Sequence, residues 1–263
     1  AVFVVFSLLC SNAPAIDLAV PADYATIQEA VDAAIDGDTI KVAAGSYKET
    51  ILLKNNISLI GLETARTFLQ AVNKQTTLRL NALSNVKIRG FTFIDAATAI
   101  EIINGSNISI QNNVFTLGIT ASAISITGDS GVDVAYNTFY KNKFALTRDS
   151  DTSSFINQNI FAENLTAISS TLDTHIDDNC FHANSSEGTI GSNAISADPL
   201  FVDAANNNFH VPLGSGCKDA GQADSTDHLV YKGAYGGDFA DFTPFPVQNV
   251  RVTLNPGPPY SAD

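Results

Sequence analysis

The chain of 263 residues has no tryptophan, no methionine and only three cysteines, and charged residues make up 16% of it. Because charge is scarce while β-forming residues and asparagine are plentiful, the composition favours a chain buried by stacking over a helical bundle. Basic residues number 14 against 27 acidic ones, and the net charge of −13 disfavours nucleic acid and anionic membranes as partners.

Residues 1–15 are predicted to be the remnant of an export signal, which would place the protein outside the cell or on its surface. Residues 1–9 form an uncharged apolar run, and the Ala-Pro-Ala at 13–15 has the small residues of a cleavage site. A run this short does not span a bilayer as a stable helix, so no transmembrane span is predicted.

A phenylalanine recurs at steps of 20 to 24 residues through the middle of the chain. Asparagine stands two residues before four of these phenylalanines, and an aliphatic residue stands five before each. A period near 22 residues with apolar positions at fixed phases indicates stacked coils, each of which buries the face that its neighbour exposes. The phenylalanines are Phe93, Phe115, Phe139, Phe161 and Phe181; the asparagines are Asn113, Asn137, Asn159 and Asn179; the aliphatic residues are Ile88, Ile110, Val134, Ile156 and Ile176.

Strands that repeat in one direction must be parallel, and parallel crossovers are right-handed in almost all cases. The sequence therefore predicts an all-β fold, a single-stranded right-handed parallel β-helix over residues 16–243, rising about 4.8 Å per coil. The phenylalanine and asparagine columns are interpreted as ladders that hold successive coils together. Residues 198–237 are expected to finish the stack. In an exported chain Cys180 and Cys217 are expected either to pair as a disulfide or to remain buried thiols.

The two ends of the predicted β-helix carry distinct elements. Thr26 and Glu29 form a capping box for a short amphipathic helix, and Gly37 can close its C-terminus. A helix ahead of a repeat array is interpreted as a lid over the open end of the stack. Residues 244–263 are predicted to be a proline-rich linker and the first strand of a following β-sandwich module; the alternative is a tail strand that docks back onto the β-helix.

If the aliphatic column points inward, the residues on either side of it point outward and form a polar strip on one sheet. Asp133 suits a general base or a Ca²⁺ ligand, Lys87 or Arg89 could neutralise a uronate, and Gln111 and Asn157 are candidates for substrate binding. The alternative is that these residues are polar only because they face water. The catalytic candidates are Lys87, Arg89, Asp133, His175 and Asp177.

A second group of charged residues surrounds the predicted strand near residue 146. Lys141, Lys143 and Arg148 are candidates for substrate binding, and Asp149 and Asp151 are candidates for a metal site, with Ca²⁺ as the ion. Ca²⁺ would also let a chain of net charge −13 hold a polyanionic glycan, because it would bridge carboxylates on both sides. The alternative is an ordinary solvated turn.

Three motifs near the start of the chain and three near its end are distinctive. They are Ala22-Asp-Tyr-Ala-Thr-Ile-Gln-Glu-Ala-Val31, Asp36-Gly-Asp-Thr-Ile-Lys-Val42 and Gly45-Ser-Tyr-Lys-Glu49 at the start, and Asp198-Pro-Leu-Phe201, Cys217-Lys-Asp-Ala-Gly221 and Gly233-Ala-Tyr-Gly-Gly237 at the end. These motifs resemble the opening and closing segments of the pectate-lyase-like superfamily of right-handed β-helix proteins. The resemblance covers about residues 20–240, and a segment from Val247 is similar to the start of a fibronectin-type-III-like module. It implies the fold, but this fold hosts lyases, hydrolases, esterases and non-catalytic surface proteins.

Catalytic signatures of the superfamily do not carry over to this sequence. The Gly-Arg-Pro-Trp segment of pectin methylesterases and the Gly-His-Gly motif of polygalacturonases are both missing. The resemblance therefore implies a secreted or cell-surface module that binds an extracellular polysaccharide or surface glycan, or that is structural or adhesive, without catalysis. The alternative is a polysaccharide lyase or glycoside hydrolase with the strip as its cleft. A second alternative is a self-associating subunit of a filament or surface assembly, in which a retained N-terminal segment completes a neighbour's sheet.

Overall fold

The computed structural model describes residues 14–128, 130–149, 153–212, 214–217 and 232–235. They form three parallel sheets, here called A, B and C, to which successive coils contribute strands in turn. The predicted right-handed parallel β-helix with a short N-terminal helix is confirmed. Residues 1–13 of the predicted signal remnant, Asp151, and the whole of the predicted module at 244–263 lie outside the described residues.

The strands of each sheet recur about one repeat apart along the chain. Sheet A contains Asp17–Val20, Thr39–Val42, Ser58–Gly61, Ser84–Arg89, Ser106–Gln111, Ser130–Ala135, Phe155–Asn157 and Ile176–Asp177. Sheet B contains Gly45–Lys48, Thr67–Gln70, Thr92–Ile94, Val114–Phe115, Thr138–Tyr140, Ile160–Ala162, Cys180–His182 and Ile195–Ser196. Sheet C contains Ile51–Leu52, Thr76–Asn81, Thr98–Ile103, Ser122–Thr127, Phe144–Asp149, Thr166–Ser170 and Ser186–Gly188.

The core is built from columns of identical or similar side chains, as the sequence period predicts. The aliphatic residues that precede each phenylalanine are register partners in sheet A, and all are buried. The five phenylalanines are register partners in sheet B, where successive rings stack with centroids 4.8–5.3 Å apart and planes within 12° of parallel. Burial of these rings makes the column a continuous apolar spine along the stack.

Asparagine ladders satisfy the buried polar groups of the turns beside this spine. Asn113, Asn137 and Asn159 each donate an amide hydrogen to the Oδ1 atom of the next asparagine, at 3.1–3.2 Å. This confirms the predicted ladder. A second ladder lies between sheets B and C, where Asn142 donates to Asn164 at 3.0 Å and Asn164 to Asn184 at 2.9 Å. This second ladder was not predicted, although each of its residues stands three positions after a column phenylalanine in the sequence.

The helix Ile27–Ala33 covers the N-terminal end of the core, with Ile27, Ala30 and Val31 buried. The predicted capping box is present, but the C-cap is Ala34, so the assignment of Gly37 to that position was wrong. Gly37 instead lies in the following turn, where its N–H donates to the Asn56 carbonyl. The side-chain amide of Gln28 both donates to and accepts from the backbone of Leu52, which occupies the edge strand of sheet C. The helix therefore also blocks a sheet edge.

Two glycines, Gly188 and Gly191, lie at the opposite end of the described stack. Gly188 is the register partner of Ile168 and so stands in the inward column of sheet C. A Cβ atom there would lie 1.8 Å from the Ile168 carbonyl oxygen, and one at Gly191 would lie 1.9 Å from the Ile176 oxygen. Both residues have positive φ, +68° and +67°. The absence of side chains lets the last coil lie directly on the core and cover it.

In the segment after the strand Ile195–Ser196, the described residues add no strand to the three sheets, although residues 198–237 were expected to finish the stack. The segment's described residues fold back over the outer face of sheet B, where Phe209 lies 5.3 Å from the Tyr140 ring. A disulfide joins Cys180 of sheet B to Cys217, with Cα atoms 5.6 Å apart, so the structure contains the disulfide and not the two thiols. Apolar contact and a covalent link together hold this segment on sheet B.

Candidate functional site

Sheet A carries the predicted strip on its outer face, part of which is exposed, although Ala135 is only 3% exposed. The outer face of sheet B is covered by the C-terminal segment over the coils that contain Val114 to Cys180. On sheet C, Arg79 and Glu101 are neighbours in an outward column and form an ion pair at 2.6 Å. On sheet A the side chains of Lys87, Phe155 and His175 are exposed.

Register partners in sheet A confirm the outward columns inferred from the sequence for every member but His175. His175 immediately precedes the strand Ile176–Asp177 and meets the first column through contact of its ring with Phe155. Neighbours within a column are about 4.8 Å apart, so two columns of five residues span roughly 20 Å along the stack. Together they are called the strip. Its first column is Lys87, Ser109, Asp133, Phe155 and His175, and its second is Arg89, Gln111, Ala135, Asn157 and Asp177.

The middle of the strip holds a half-buried carboxylate. Asp133 accepts a hydrogen bond of 2.8 Å from the side-chain amide of Gln111, which belongs to the neighbouring coil and the other column. Burial raises the pKa of the Asp133 carboxyl above its ordinary value, and the hydrogen bond from Gln111 opposes that shift. A carboxylate whose pKa is raised is a stronger base than a fully solvated one, which suits it to accept a proton from a substrate.

One end of the strip is cationic. Lys87 is exposed, and Arg89 is partly buried, so that loss of hydration lowers the pKa of its guanidinium below the ordinary value. Arg89 is the register partner of Gln111, which places it one coil from the amide that holds Asp133. Lys41, two coils beyond Arg89 in the same column, is paired with Asp17 at 2.6 Å.

The other end of the strip is acidic. Asp177 accepts hydrogen bonds of 3.0 Å from the Asn193 amide and from the backbone N–H of Asp178. Burial and the charge of Asp177 raise the pKa of Asp178. Asn157 is the register partner of Asp177. The strip is therefore polarised along the stack, with cations near Lys87 and carboxylates near Asp177.

Arg148, a predicted substrate-binding residue, lies inside the coil and is only 3% exposed. Its register partner in the preceding coil is Ile126, so it occupies an inward column of sheet C. Its guanidinium donates to the carbonyls of Ser154, Thr174 and Leu172 and to the Ser170 hydroxyl at 2.6–3.1 Å. The prediction is corrected: Arg148 holds the turn between sheets C and A, because its donors are already directed to protein acceptors.

Lys141 and Lys143 lie in the turn between sheets B and C, away from the strip. Lys141 pairs with Glu163 at 3.3 Å and lies over the Tyr140 ring, and hydrogen bonds with Tyr140 and with Glu163 raise its pKa. Lys143 directly precedes the strand Phe144–Asp149, and Asp149 ends it. A strand of six residues places its two ends about 16 Å apart. The second predicted group therefore does not form one site.

Asp149 and Asp151 were predicted as ligands of a Ca²⁺ ion, and the geometry of the described residues gives no support for that site. Within residues 14–128, 130–149, 153–212, 214–217 and 232–235, no three His, Cys, Asp or Glu side chains converge as a metal-ligand set. Asp149 does not meet this requirement, and Asp151 lies outside the described residues, so Ca²⁺ at this place stays a prediction. Within the same ranges, no helix has the length and apolar character needed to cross a bilayer.

Lys232 is a buried charged residue beside the acidic end of the strip, and it was not predicted from the sequence as a site residue. It is 1% exposed, and its ammonium donates to the Asp178 carbonyl and to the Gln158 side chain. Burial lowers the pKa of Lys232 to about 8, although the charges of Asp178 and Asp177 act in the opposite direction. No periodic pattern surrounds this residue in the sequence, because it belongs to the segment that folds back.

We expect the free energy of unfolding to rise as the pH increases from about 8 to about 10. The unfolded chain keeps Lys232 protonated up to its ordinary pKa of 10.5, whereas the folded protein loses that proton near pH 8. In this window the unfolded state binds more protons, so raising the pH favours the folded state. Urea unfolding between pH 7 and 10 measures the effect, and Lys232→Met should abolish it. Identical pH profiles for the two proteins would contradict the expectation.

Comparison with known proteins gives a family match and a fold match. A family model described as a right handed beta helix region matches residues 76–225. No curated protein matches the chain. Among solved structures, the PL6 family alginate lyase AlyGC is similar with a TM-score of 0.50 and 18% sequence identity over 63% of this chain and 28% of AlyGC. An alginate lyase from Paenibacillus sp. str. FPU-7 has a TM-score of 0.30 and 10% identity over 69% of this chain and 98% of that enzyme. The chain thus spans less than a third of the length of AlyGC, and the likeness to it is one of fold.

Proposed function

This chain belongs to the family of right-handed beta helix regions, and we propose that it binds an acidic extracellular polysaccharide along the outer face of sheet A. The observation that carries the proposal is the strip. It places two cations, two amides and two carboxylates on consecutive coils of one outer face. A polymer of sugars laid along the stack would meet these groups in succession.

The chemistry of each group fits a part of such a polymer. Lys87 and Arg89 can pair with a uronate carboxylate, and charge-assisted hydrogen bonds of this kind are about twice as strong as neutral ones. Gln111 and Asn157 can exchange hydrogen bonds with sugar hydroxyls. The net charge of −13 opposes a polyanion at long range, but salt screens that repulsion beyond about 8 Å, which leaves the local cations to act. The fold relative AlyGC is an alginate lyase, and alginate is an acidic polysaccharide.

A second candidate function, cleavage by β-elimination, is favoured by the half-buried Asp133. In this reaction the Asp133 carboxylate would take the proton at C5 of a uronate whose carboxylate is neutralised by Arg89 and Lys87. The C5–H electron pair would form the C4–C5 double bond, and the C4–O4 bond would break with its electrons on O4. A proton from water or from His175 would complete the leaving group. The raised pKa of Asp133 and its hydrogen bond to Gln111 support the role of base.

We expect the double variant Lys87→Ala, Arg89→Ala to bind an acidic polysaccharide at least about tenfold more weakly, because each removed cation is a charge-assisted partner for a carboxylate. Titration with size-defined uronate oligosaccharides, with and without Ca²⁺, measures the affinity. Lys143→Ala is a matched control, since it removes a lysine charge from the turn between sheets B and C and should leave affinity unchanged. An equal loss in the control, or no loss in the double variant, would remove the strip as the binding face.

The same mixtures separate binding from cleavage. A lyase would generate products that absorb in the ultraviolet band of unsaturated uronates, and Asp133→Asn would slow their formation without abolishing binding. Retention of the polysaccharide with no such product would leave the chain as a binding module.

A further inference from the structure

One aromatic side chain interrupts the polar strip. Phe155 is 48% exposed, whereas the five phenylalanines of the inward column are at most 1% exposed. Its ring contacts the His175 ring, with centroids 4.5 Å apart and planes inclined by 37°. His175 immediately precedes the strand Ile176–Asp177 of the following coil, and both side chains are exposed, so the two rings form one aromatic surface on the outer side of sheet A.

Polar side chains border this aromatic surface. Asp133 is the register partner of Phe155 in the preceding coil, and Asn157 lies two residues further along the same strand. Asp177 is the partner of Asn157 in the following coil. A ligand that covers Phe155 would therefore need an apolar face with hydrogen-bonding groups around its edge. The C–H face and the hydroxyl rim of a pyranose ring have this arrangement, whereas a purely apolar ligand would leave the bordering carboxylates and amide desolvated.

The exposed or half-buried charges that border Phe155 are carboxylates, opposite in sign to Lys87 and Arg89. Lys232, the cation near this end, is 1% exposed and donates to protein acceptors inside the fold. A uronate carboxylate placed against Phe155 would approach Asp133 and Asp177, and the like charges would repel it at short range. At the other end of the strip the same carboxylate would meet cations. The strip thus favours acidic and uncharged sugars at different positions.

The geometry points to two unlike sugar positions on sheet A: we propose that Lys87 and Arg89 bind an acidic sugar, while Phe155 and His175 stack against an uncharged one. The inference rests on the proposed function and adds a substrate class, a heteropolysaccharide that contains both uronate and neutral sugars. Lys87 and Phe155 are three coils apart, about 14 Å, so one oligosaccharide several sugars long could occupy both positions.

The absence of tryptophan allows a direct test of the Phe155 position. Phe155→Trp would introduce the chain's single tryptophan on the exposed face, and a sugar that stacks on it should shift its emission to the blue. The probes are hyaluronan oligosaccharides, in which glucuronate alternates with an uncharged amide sugar, and alginate oligosaccharides, in which each sugar is acidic. Leu165→Trp, at an exposed position in the turn between sheets B and C, is the control and should give no shift.

Binding affinities test whether the Phe155 position distinguishes an uncharged sugar from an acidic one. Phe155→Ala should weaken binding of the alternating oligosaccharide about tenfold, which corresponds to 1.4 kcal/mol, because it removes the stacking surface. Asp177→Asn should strengthen binding of the alginate oligosaccharide about threefold, since it removes a repelling charge, and should change hyaluronan binding little. Phe155→Leu, which keeps apolar area without an aromatic face, should resemble Phe155→Ala.

The outcomes of this test separate the inference from the proposed function. If Lys87→Ala, Arg89→Ala weakens binding while Phe155→Ala and Asp177→Asn do not change it, the second sugar position is overturned and the polysaccharide proposal stands. If the unmodified chain binds none of the acidic oligosaccharides, both are overturned. A preference for alginate over hyaluronan in the unmodified chain would also overturn the inference.

Discussion

Replacing Phe139 with alanine is expected to lower the free energy of unfolding by about 3–5 kcal/mol. The Phe139 ring is fully buried and stacks between Phe115 at 4.9 Å and Phe161 at 4.8 Å. Truncation would remove both stacks and leave a cavity in the middle of the column. In a repeat array stability comes mainly from contacts between neighbouring coils, so this one change weakens two of those interfaces at once. Urea unfolding, monitored by circular dichroism, measures the loss.

Phe155→Ala provides the matched comparison, because it makes the same substitution at a phenylalanine on the strip. Because the Phe155 ring is 48% exposed and lies outside the core, the free energy of unfolding is expected to change by no more than about 0.5 kcal/mol. Phe139→Leu, which fills most of the space, should recover much of the stability that alanine loses. A loss below about 1 kcal/mol for Phe139→Ala would show that the column does not carry the stability assigned to it.

Asn137→Ala should have an effect of similar size, about 3–4 kcal/mol, for a different reason. The buried Asn137 amide donates to the carbonyls of Ile110 and Ala135 at 2.8 and 3.0 Å, and its oxygen accepts from the backbone N–H and the side chain of Asn113. Alanine would leave these groups buried without partners in a turn that water does not reach. Equilibrium unfolding measures this loss, and hydrogen exchange should show the Asn113 N–H among the amides that lose protection.

Two further asparagine variants test whether hydrogen bonding is the cause. Asn81→Ala alters an exposed asparagine at the end of a strand of sheet C and should change stability by no more than about 0.5 kcal/mol. Asn137→Asp keeps the shape of the side chain but replaces the NH2 group, which donates to two carbonyl oxygens, with a carboxylate oxygen that cannot donate. It should therefore be at least as destabilising as alanine. An Asn137→Asp variant as stable as the unmodified chain would exclude the ladder as a source of stability.

The fold was predictable because a repeat supplies its own internal alignment. Phe115, Phe139 and Phe161 occupy equivalent positions, and their spacing alone defines which residues are register partners. Alternation along a strand then separates the inward from the outward side chains. For the same reason the positions of Lys87, Asp133 and Phe155 on one face followed from the sequence.

Arg148 shows where that reasoning stopped short. Arg148 lies two positions after the inward Leu146, so alternation along the strand places it inward as well. Its charge led to the opposite expectation, because buried arginines are uncommon. What makes the position tolerable is a tertiary feature: the backbone carbonyls of Leu172 and Thr174 turn toward it from the next coil. Sequence periodicity contains no information about those carbonyls.

The sequence by itself determined the coil, its core columns and the composition of the strip, because each depends on a local period that repeats between neighbouring coils. Only the tertiary structure decided that the segment containing Phe209 covers sheet B, that Cys180 is bonded to Cys217, and that Lys232 is buried beside the acidic end of the strip. The disulfide joins residues 37 positions apart, and the Lys232–Gln158 hydrogen bond joins residues 74 positions apart. No repeat relates the two partners in either contact. A non-periodic segment can pack on any of three faces, and the choice depends on the shape and apolar area that each face offers once the stack has formed.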